Sequence, residues 1–402
     1  MVDINVIKNS FVNPLNGSGQ TDKDAISVFI NGTTYNSWTD ISINRDLDSA
    51  IGSFTMSFVD KWRQSGDSWV ITPGQKIAIK IGNRKLPVLN GFVDSVEASI
   101  SNTDRSISVT GRDRTCDLAD CSYIEENEIS SITFLGLCEK MAGFFGIDVY
   151  YESPLYLGPL DTPFKFIYQQ GDSMLEALYK EGKPRGFNLK TDGEGNLVIF
   201  NRNASETLTR SPVALSQDGN ILKASVSLDQ SDRYSTYIVK GQSSNDALGW
   251  GLKKNTPKGS ADDRGVTRTR PLVVISDTEV DDVTAQTQAE QEADIRKRQS
   301  NDISAEVQGW TKTPLGELWS VGDIVPVDAG FIGISNVDLL IKSIGLSKST
   351  SGGTITTIGM TTPDSFRNEK TKTSGNDLYE KLGWKFTSSI SKEKALELSP
   401  KL

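Results

Sequence analysis

The sequence predicts a mainly β protein of α+β type. Its expected architecture is two similar β domains related by internal duplication, with a small α/β domain between them. Three observations carry this reading. Short apolar/polar alternations punctuated by Gly, Asn and Asp recur along the 402 residues, as half-buried strands require. One such stretch, Val307–Phe366, repeats the pattern of an earlier one without a gap. Helical spacing is confined to a few segments between the strand-rich regions.

The repeat is the strongest signal. A shift of 248 residues lays Gly74 on Gly322, Gly82 on Gly330, Ser95 on Ser343, Ser99 on Ser347, Ser101 on Ser349, Ile107 on Ile355 and Gly111 on Gly359. The shared unit is a strand, a loop and a hairpin. In the second copy the hairpin turns at Thr350-Ser351-Gly352-Gly353, a Gly-Gly turn signal.

Taken in order, residues 1–24 are polar and read as an extended arm. Residues 25–118 form the first β domain and hold the first repeat. Within it Phe54, Met56 and Phe58 alternate with Ser53, Thr55 and Ser57, a half-buried strand. Residues 119–203 form the small α/β domain. Ser131–Phe144 reads as a helix, with Phe134, Leu137, Cys138 and Met141 on one face. A second helix carries Met174, Leu175, Leu178 and Tyr179, capped by Asp172 or Ser173. Residues 204–370 form the second β domain and hold the second repeat. It contains a polar loop insertion, 241–269, and a helix over 281–298 whose stripe is Ala285, Ala289 and Ala293. Such small residues imply close packing on a sheet. Residues 371–402 are a C-terminal extension. Its Tyr379, Trp384 and Phe386 are partner-docking candidates, although the chain's own body would bury them equally well.

Composition excludes several functions. The net charge is −9, the wrong sign for a nucleic-acid-binding groove. There is no histidine, which removes His-based triads and His-containing zinc sites. Cys116, Cys121 and Cys138 fit neither a disulfide framework nor a zinc pattern and read as small buried thiols. No window of about 20 apolar residues is present, and Met1–Ser10 has no apolar run, so the expectation is a chain folded in a reducing cytoplasm, without membrane insertion. No metal or other cofactor is expected.

A set of short runs then resembles a known family. They include Asp232–Gln242, Ala289–Ala293, Arg296-Lys297-Arg298, Val307-Gln308-Gly309-Trp310, Leu318-Trp319, Leu340-Ile341 and Pro363-Asp364-Ser365-Phe366, together with the unit from Gly171 to Val198. In order and spacing they resemble the central baseplate hub protein of Mu-like contractile-tailed phages, over about residues 25–366. The resemblance implies that residues 25–118 and 204–370 are two tube-like β-barrel domains, and that the chain forms a homotrimer whose two tube domains per subunit make a pseudo-sixfold ring. That ring would join the tail tube, or its initiator ring, to a central spike protein, contact other baseplate (wedge) proteins and let DNA pass without specific binding. The T-even hub and the type VI secretion spike share this architecture. The implied location is the virion baseplate, after assembly in the host cytoplasm. A hub of a phage-derived secretion or bacteriocin device is the alternative.

The repeat hairpins suggest where the bore lies. Val96, Ala98, Ile100, Ile107 and Val109 fall on one side of the first; Ser95, Glu97, Ser99, Ser101, Ser106, Ser108 and Thr110 fall on the other. In the second, Ile344, Leu346 and Ile355 are expected opposite Ser343, Ser347, Ser349, Thr354 and Thr356. Ser and Thr also fill the solvent face of ordinary strands. In a ring, the face bearing Ser95, Glu97, Ser99, Ser101, Ser343, Ser347 and Ser349 would line the lumen, small and uncharged or acidic, where a basic wall would hold phosphates. The rival is a cell-wall hydrolase using Glu125-Glu126 or Asp192 with Glu194 as its carboxylates. Turn chemistry explains those acids equally well, and the expected function is not enzymatic.

Overall fold

The computed structural model of the chain describes residues 25–35, 38–59, 71–82, 84–100, 105–125, 127–152, 162–201, 209–241, 257–277, 280–313 and 316–363. The N-terminal arm, Ser101, the extension 371–402 and its Tyr379, Trp384 and Phe386 lie outside the described residues.

Among the described residues the elements of the first part of the chain are all strands: β1 (Ile26–Ile30), β2 (Thr33–Tyr35), β3 (Trp38–Asp46), β4 (Ser53–Val59), β5 (Lys76–Ile81), β6 (Leu89–Ile100) and β7 (Arg105–Asp113). The middle part alternates: α1 (Cys116–Asp120), β8 (Glu128–Ile132), α2 (Phe134–Gly143), β9 (Val149–Tyr151), β10 (Phe164–Ile167), α3 (Met174–Gly182), β11 (Phe187–Thr191) and β12 (Leu197–Asn201). The last part holds β13 (Leu215–Ser216), β14 (Ile221–Leu228), β15 (Thr236–Lys240), β16 (Lys258–Asp262), β17 (Pro271–Ile275), α4 (Asp282–Gln299), β18 (Asn301–Gln308), β19 (Ile324–Ala329), β20 (Ile334–Ser349) and β21 (Gly353–Thr361).

Local chemistry places the helices. Ser173 caps α3 in a capping box with Glu176, and Asp281 caps α4 in another with Thr284. Thr133 caps α2, so that helix begins at Phe134 and the residues before it belong to β8. The helix expected from Ser131 therefore starts three residues late, because the Thr133 hydroxyl accepts the Gly136 N–H and Ile132 pairs with Phe164.

Two expectations change at the level of the sheet. The strands do not close into two barrels. They form one open 13-stranded sheet among the described residues, with the main order β14-β18-β21-β20-β3-β4-β7-β6-β5-β1-β2. The outer edge of β3 is taken by β20 from the other half, so neither half can close on itself. One hydrophobic core then runs through both halves, from Val28 and Phe54 to Trp310, Ile341 and Met360.

The gap-free register also fails at its last strand. Shifting β5 by the repeat reproduces β19, and the bulges of β6 and β20 fall at matching places, between Val93 and Ser95 and between Ile341 and Ser343. The hairpin closures differ, however. Ile100 pairs with Arg105, but its counterpart Lys348 pairs with Thr354, which leaves one residue more between the two strands. β21 is therefore displaced by one residue, and a one-residue slip reverses facing. Thr356 pairs with Leu346 and is buried, Thr354 pairs with Lys348, and Ile355 pairs with Ser347 on the polar side. The expected sides of Thr354, Ile355 and Thr356 are thus exchanged.

The loop expected over 241–269 is partly a strand. β16 pairs with β15, and β17 lies parallel on the other side of β15. The alanines of α4 cover this small sheet: Ala285 and Ala289 are fully buried. Gly259 makes that possible, since a Cβ there would stand 2.1 Å from the Ala285 carbonyl oxygen.

Candidate functional site: a hydroxyl-lined sheet face

Eight strictly antiparallel strands, β14-β18-β21-β20-β3-β4-β7-β6, present one continuous face opposite the core. The ladder fixes which side chains share it. One row runs Ser225, Ser304, Gly359, Ser343 and Asp46. The next runs Glu306, Thr357, Gly345, Asn44, Ser53 and Arg112. A third runs Ile355, Ser347, Ser42, Thr55, Thr110 and Ser95. A fourth runs Gly353, Ser349, Asp40, Ser57, Ser108 and Glu97, and beyond it Ser106 faces Ser99.

The structure therefore gathers Ser95, Glu97, Ser99, Ser343, Ser347 and Ser349 on a single face, as expected; Ser101 is outside the described residues. Sequence reasoning missed the centre of that face. Ser42 and Asn44 on β3 sit between the two hairpins, and Ser225 and Ser304 extend the surface across β14 and β18. The available signal was a hydroxyl at every second residue of Ser225–Ser227 and of Ser53–Ser57.

The hydroxyls are largely occupied with one another. Ser95 Oγ lies 2.8 Å from Thr110 Oγ1, Ser99 Oγ 2.9 Å from Ser106 Oγ, and Ser225 Oγ 2.9 Å from Ser304 Oγ. Ser347 Oγ donates to the Ile355 carbonyl at 3.2 Å. Such cross-strand pairs stabilise the sheet and leave few donors directed outward. On the core side, the buried Trp310 indole N–H donates to the Ser347 carbonyl at 3.1 Å, anchoring β20 from behind.

Charge on the face is acidic or paired. Asp40, Asp46, Glu97, Asp302 and Glu306 carry carboxylates. Arg112 is clamped by Asp94 and Asp120, each at 2.6 Å, and those carboxylates raise its pKa above the ordinary guanidinium value. Lys223 lies 3.3 Å from Glu306, and the bulge residue Lys342 lies 2.8 Å from Asp302. Burial pushes the Asp46 carboxyl up, against the Asp48 N–H that it accepts. Each of these three cations has a carboxylate partner, so none offers a bare charge to a phosphate.

The proposed catalytic acids take up structural work instead. Asp192 Oδ1 accepts the Glu194 and Asn196 backbone N–H groups at 2.7 and 3.1 Å, and Oδ2 accepts the Asn196 amide at 2.7 Å. Gly193, at φ +84°, lets the turn close over the Arg45 guanidinium, which a Cβ would meet at 1.7 Å. Burial lowers the Arg45 pKa, and Asp113, Asp192 and Glu194 oppose that shift. Glu125 accepts the Tyr123 hydroxyl at 3.0 Å, and Glu126 lies outside the described residues.

Comparison with known proteins fits this geometry. Residues 25–113 match the family described as Mu phage baseplate assembly protein GpP-like, N-terminal. Residues 115–201 match the second domain of the gp44-like baseplate hub proteins. The chain is similar in both of these parts to baseplate proteins of Mu-like phages. The chain is 27% identical over 348 residues to baseplate hub protein gp44 of Escherichia phage Mu, covering 85% of this chain and 89% of that one. It is similar to the 43 kDa tail protein of prophage MuSo2 from Shewanella oneidensis at 28% identity and a TM-score of 0.73, over 85% of this chain and 99% of that one. A tail protein from Neisseria meningitidis MC58, 21% identical, shares the fold with a TM-score of 0.68 over 84% and 95% of the two chains. The hub is accordingly a structural protein of a phage tail baseplate.

Proposed function

We propose that three copies of the hub close into a ring of pseudo-sixfold symmetry that joins the tail tube to a central spike, with the hydroxyl-lined face turned to a bore through which DNA passes. The observation that carries the reading is the eight-stranded face itself. It is too extended and too uniform in small polar side chains to be a ligand pocket, and its cations are neutralised. DNA binding is dominated by release of counterions from phosphates by Lys and Arg. A wall that offers paired hydroxyls and spare carboxylates gives passing phosphates nothing to hold.

The ring reading is supported by the chain's two halves, which run their strands in the same pairing order: β14-β18-β21-β20-β19 and β3-β4-β7-β6-β5. Three copies supply six such halves, so a threefold object can meet a sixfold tube at one end and a threefold spike at the other. The role is mechanical rather than catalytic, and the partners are tube or tube-initiator, spike and wedge proteins of the same baseplate, assembled in the host cytoplasm. The mass of the purified hub in solution and its copy number in assembled particles test the ring. Three copies are expected; monomers in both settings would bring the reading down.

A further inference from the structure

We propose that copies of the hub join by strand pairing: the open half of β6 in one copy pairs antiparallel with β14 of the next, with Ser99 opposite Ser225 and Glu97 opposite Ser227. The proposal rests on the ring reading and adds its junction and register.

Two edges of the hydroxyl-lined sheet are open among the described residues. β5 covers β6 from Leu89 to Phe92 and the two residues before β5 hold Val93; beyond that, among the described residues, β6 pairs with β7 alone. β14 pairs with β18 alone. Unpaired edges of this length are templates for another strand. The chain itself contains a covered version of the same edge. β20 pairs with β19 over its first half, then with β3 from Ser343 to Ser349. β20 has the place in the second half that β6 has in the first, with the bulge at the matching residue. β3 likewise has the place of β14: each begins the four-strand ladder that ends in the hairpin. The β20–β3 contact inside one chain is therefore the template for a β6–β14 contact between chains.

Direction agrees. The eight strands alternate without exception, so β6 and β14 run oppositely and a rotation that brings consecutive copies together places them antiparallel. The register transfers as well. Ser347 pairs with Ser42 across the internal junction. Ser99 occupies the Ser347 position. The ladders Ser42–Thr55–Thr110 and Ser225–Ser304–Gly359 place Ser225 where Ser42 stands. Gly345 opposite Asn44 transfers to Glu97 opposite Ser227 by the same steps. All four intermolecular positions fall on the hydroxyl side, so the face continues unbroken from copy to copy.

Cysteine pairs in the full-length chain test this. Directly opposed residues of an antiparallel pair have Cα atoms about 4.5–5.5 Å apart, inside the range a disulfide spans. The matched variants are Ser99→Cys with Ser225→Cys and, in case that pair disturbs folding, Glu97→Cys with Ser227→Cys. The mismatched variant is Ser95→Cys with Ser225→Cys, four residues or about 13 Å out along the strand. The unsubstituted chain and each single variant control for the native thiols. Under mild oxidation the matched pairs should give reducible dimers and trimers on a denaturing gel, and the mismatched pair and the controls should remain monomeric. The mass of each reduced variant is measured alongside. Trimeric mass without cross-linking of either matched pair overturns the junction and leaves the ring standing. Cross-linking of the mismatched pair overturns the register. Monomeric mass of the unsubstituted chain removes the ring and this junction together.

Discussion

Placing lysine at both Ser99 and Ser347 tests the bore directly. Ser99 is exposed and Ser347 half-buried, and both project from the hydroxyl-lined face. The substitution gives up the Ser99–Ser106 contact at 2.9 Å and the Ser347 donation to Ile355 at 3.2 Å. Each is worth about 0.5–1.5 kcal/mol net, which a domain of this size tolerates. Three copies would carry six new ammonium groups around one bore. Six phosphate contacts give a salt slope near −5, so DNA retention should weaken about a thousandfold between 50 and 200 mM salt. The assay is DNA release from assembled particles, as the ratio of variant to unsubstituted rate at both salts. The expected result is a stall at about 50 mM that is largely relieved at about 200 mM. Ser99→Gln with Ser347→Gln adds bulk without charge and should release normally. Lysine particles that assemble and release DNA at the ordinary rate in low salt would remove this face from the bore. A glutamine variant that stalls equally would show that the obstruction is steric and refute the charge argument.

Three further outcomes concern the scaffold. Trp310→Ala should cost about 3–5 kcal/mol in denaturant melts, because the indole is 1% exposed and braces β20 through Ser347; a loss under about 1 kcal/mol would mean its site collapses without penalty. Gly259→Ala should destabilise by about 1–3 kcal/mol, since its new Cβ would meet the backbone of α4. Hydrogen exchange should locate the loosening in α4 and β16, and unchanged protection there would contradict the packing. Asp281→Ala should cost about 1 kcal/mol at neutral pH by removing the cap of α4. The Thr284 N–H lowers the Asp281 pKa below its ordinary 3.8, so its contribution is present above that value and lost as pH falls through the lower folded value. The deficit of Asp281→Ala should therefore shrink in acid, whereas that of Ser173→Ala, a hydroxyl cap, should not. Melting curves of both variants across pH 2–7, about the carboxylate range, check the contrast.

Much of the fold was legible from local chemistry. The alternation of Phe54, Met56 and Phe58 with Ser53, Thr55 and Ser57 needs only the pleat of one strand to be read. The cap at Ser173 and the alanine stripe of α4 are likewise settled within a few residues. The strand within 258–262 was hidden because Lys258-Gly259-Ser260 has a loop's composition. Its pairing is set by β15 and by a helix that approaches only over a glycine.

The sequence by itself determined the strand-rich class, the two hairpins and the hydroxyl side of β6 and β20, because each follows from side-chain period along a continuous segment. Only the tertiary structure decided that β3 pairs with β20, that the sheet stays open, and that β21 slips by one residue to bury Thr356 and turn Ile355 outward. The physical reason is the range of the interactions. Alternation is a property of a single strand and survives in the sequence. Register and edge choice are set by a hairpin connection one residue longer and by partners far away along the chain, whose hydrogen bonds leave no local mark.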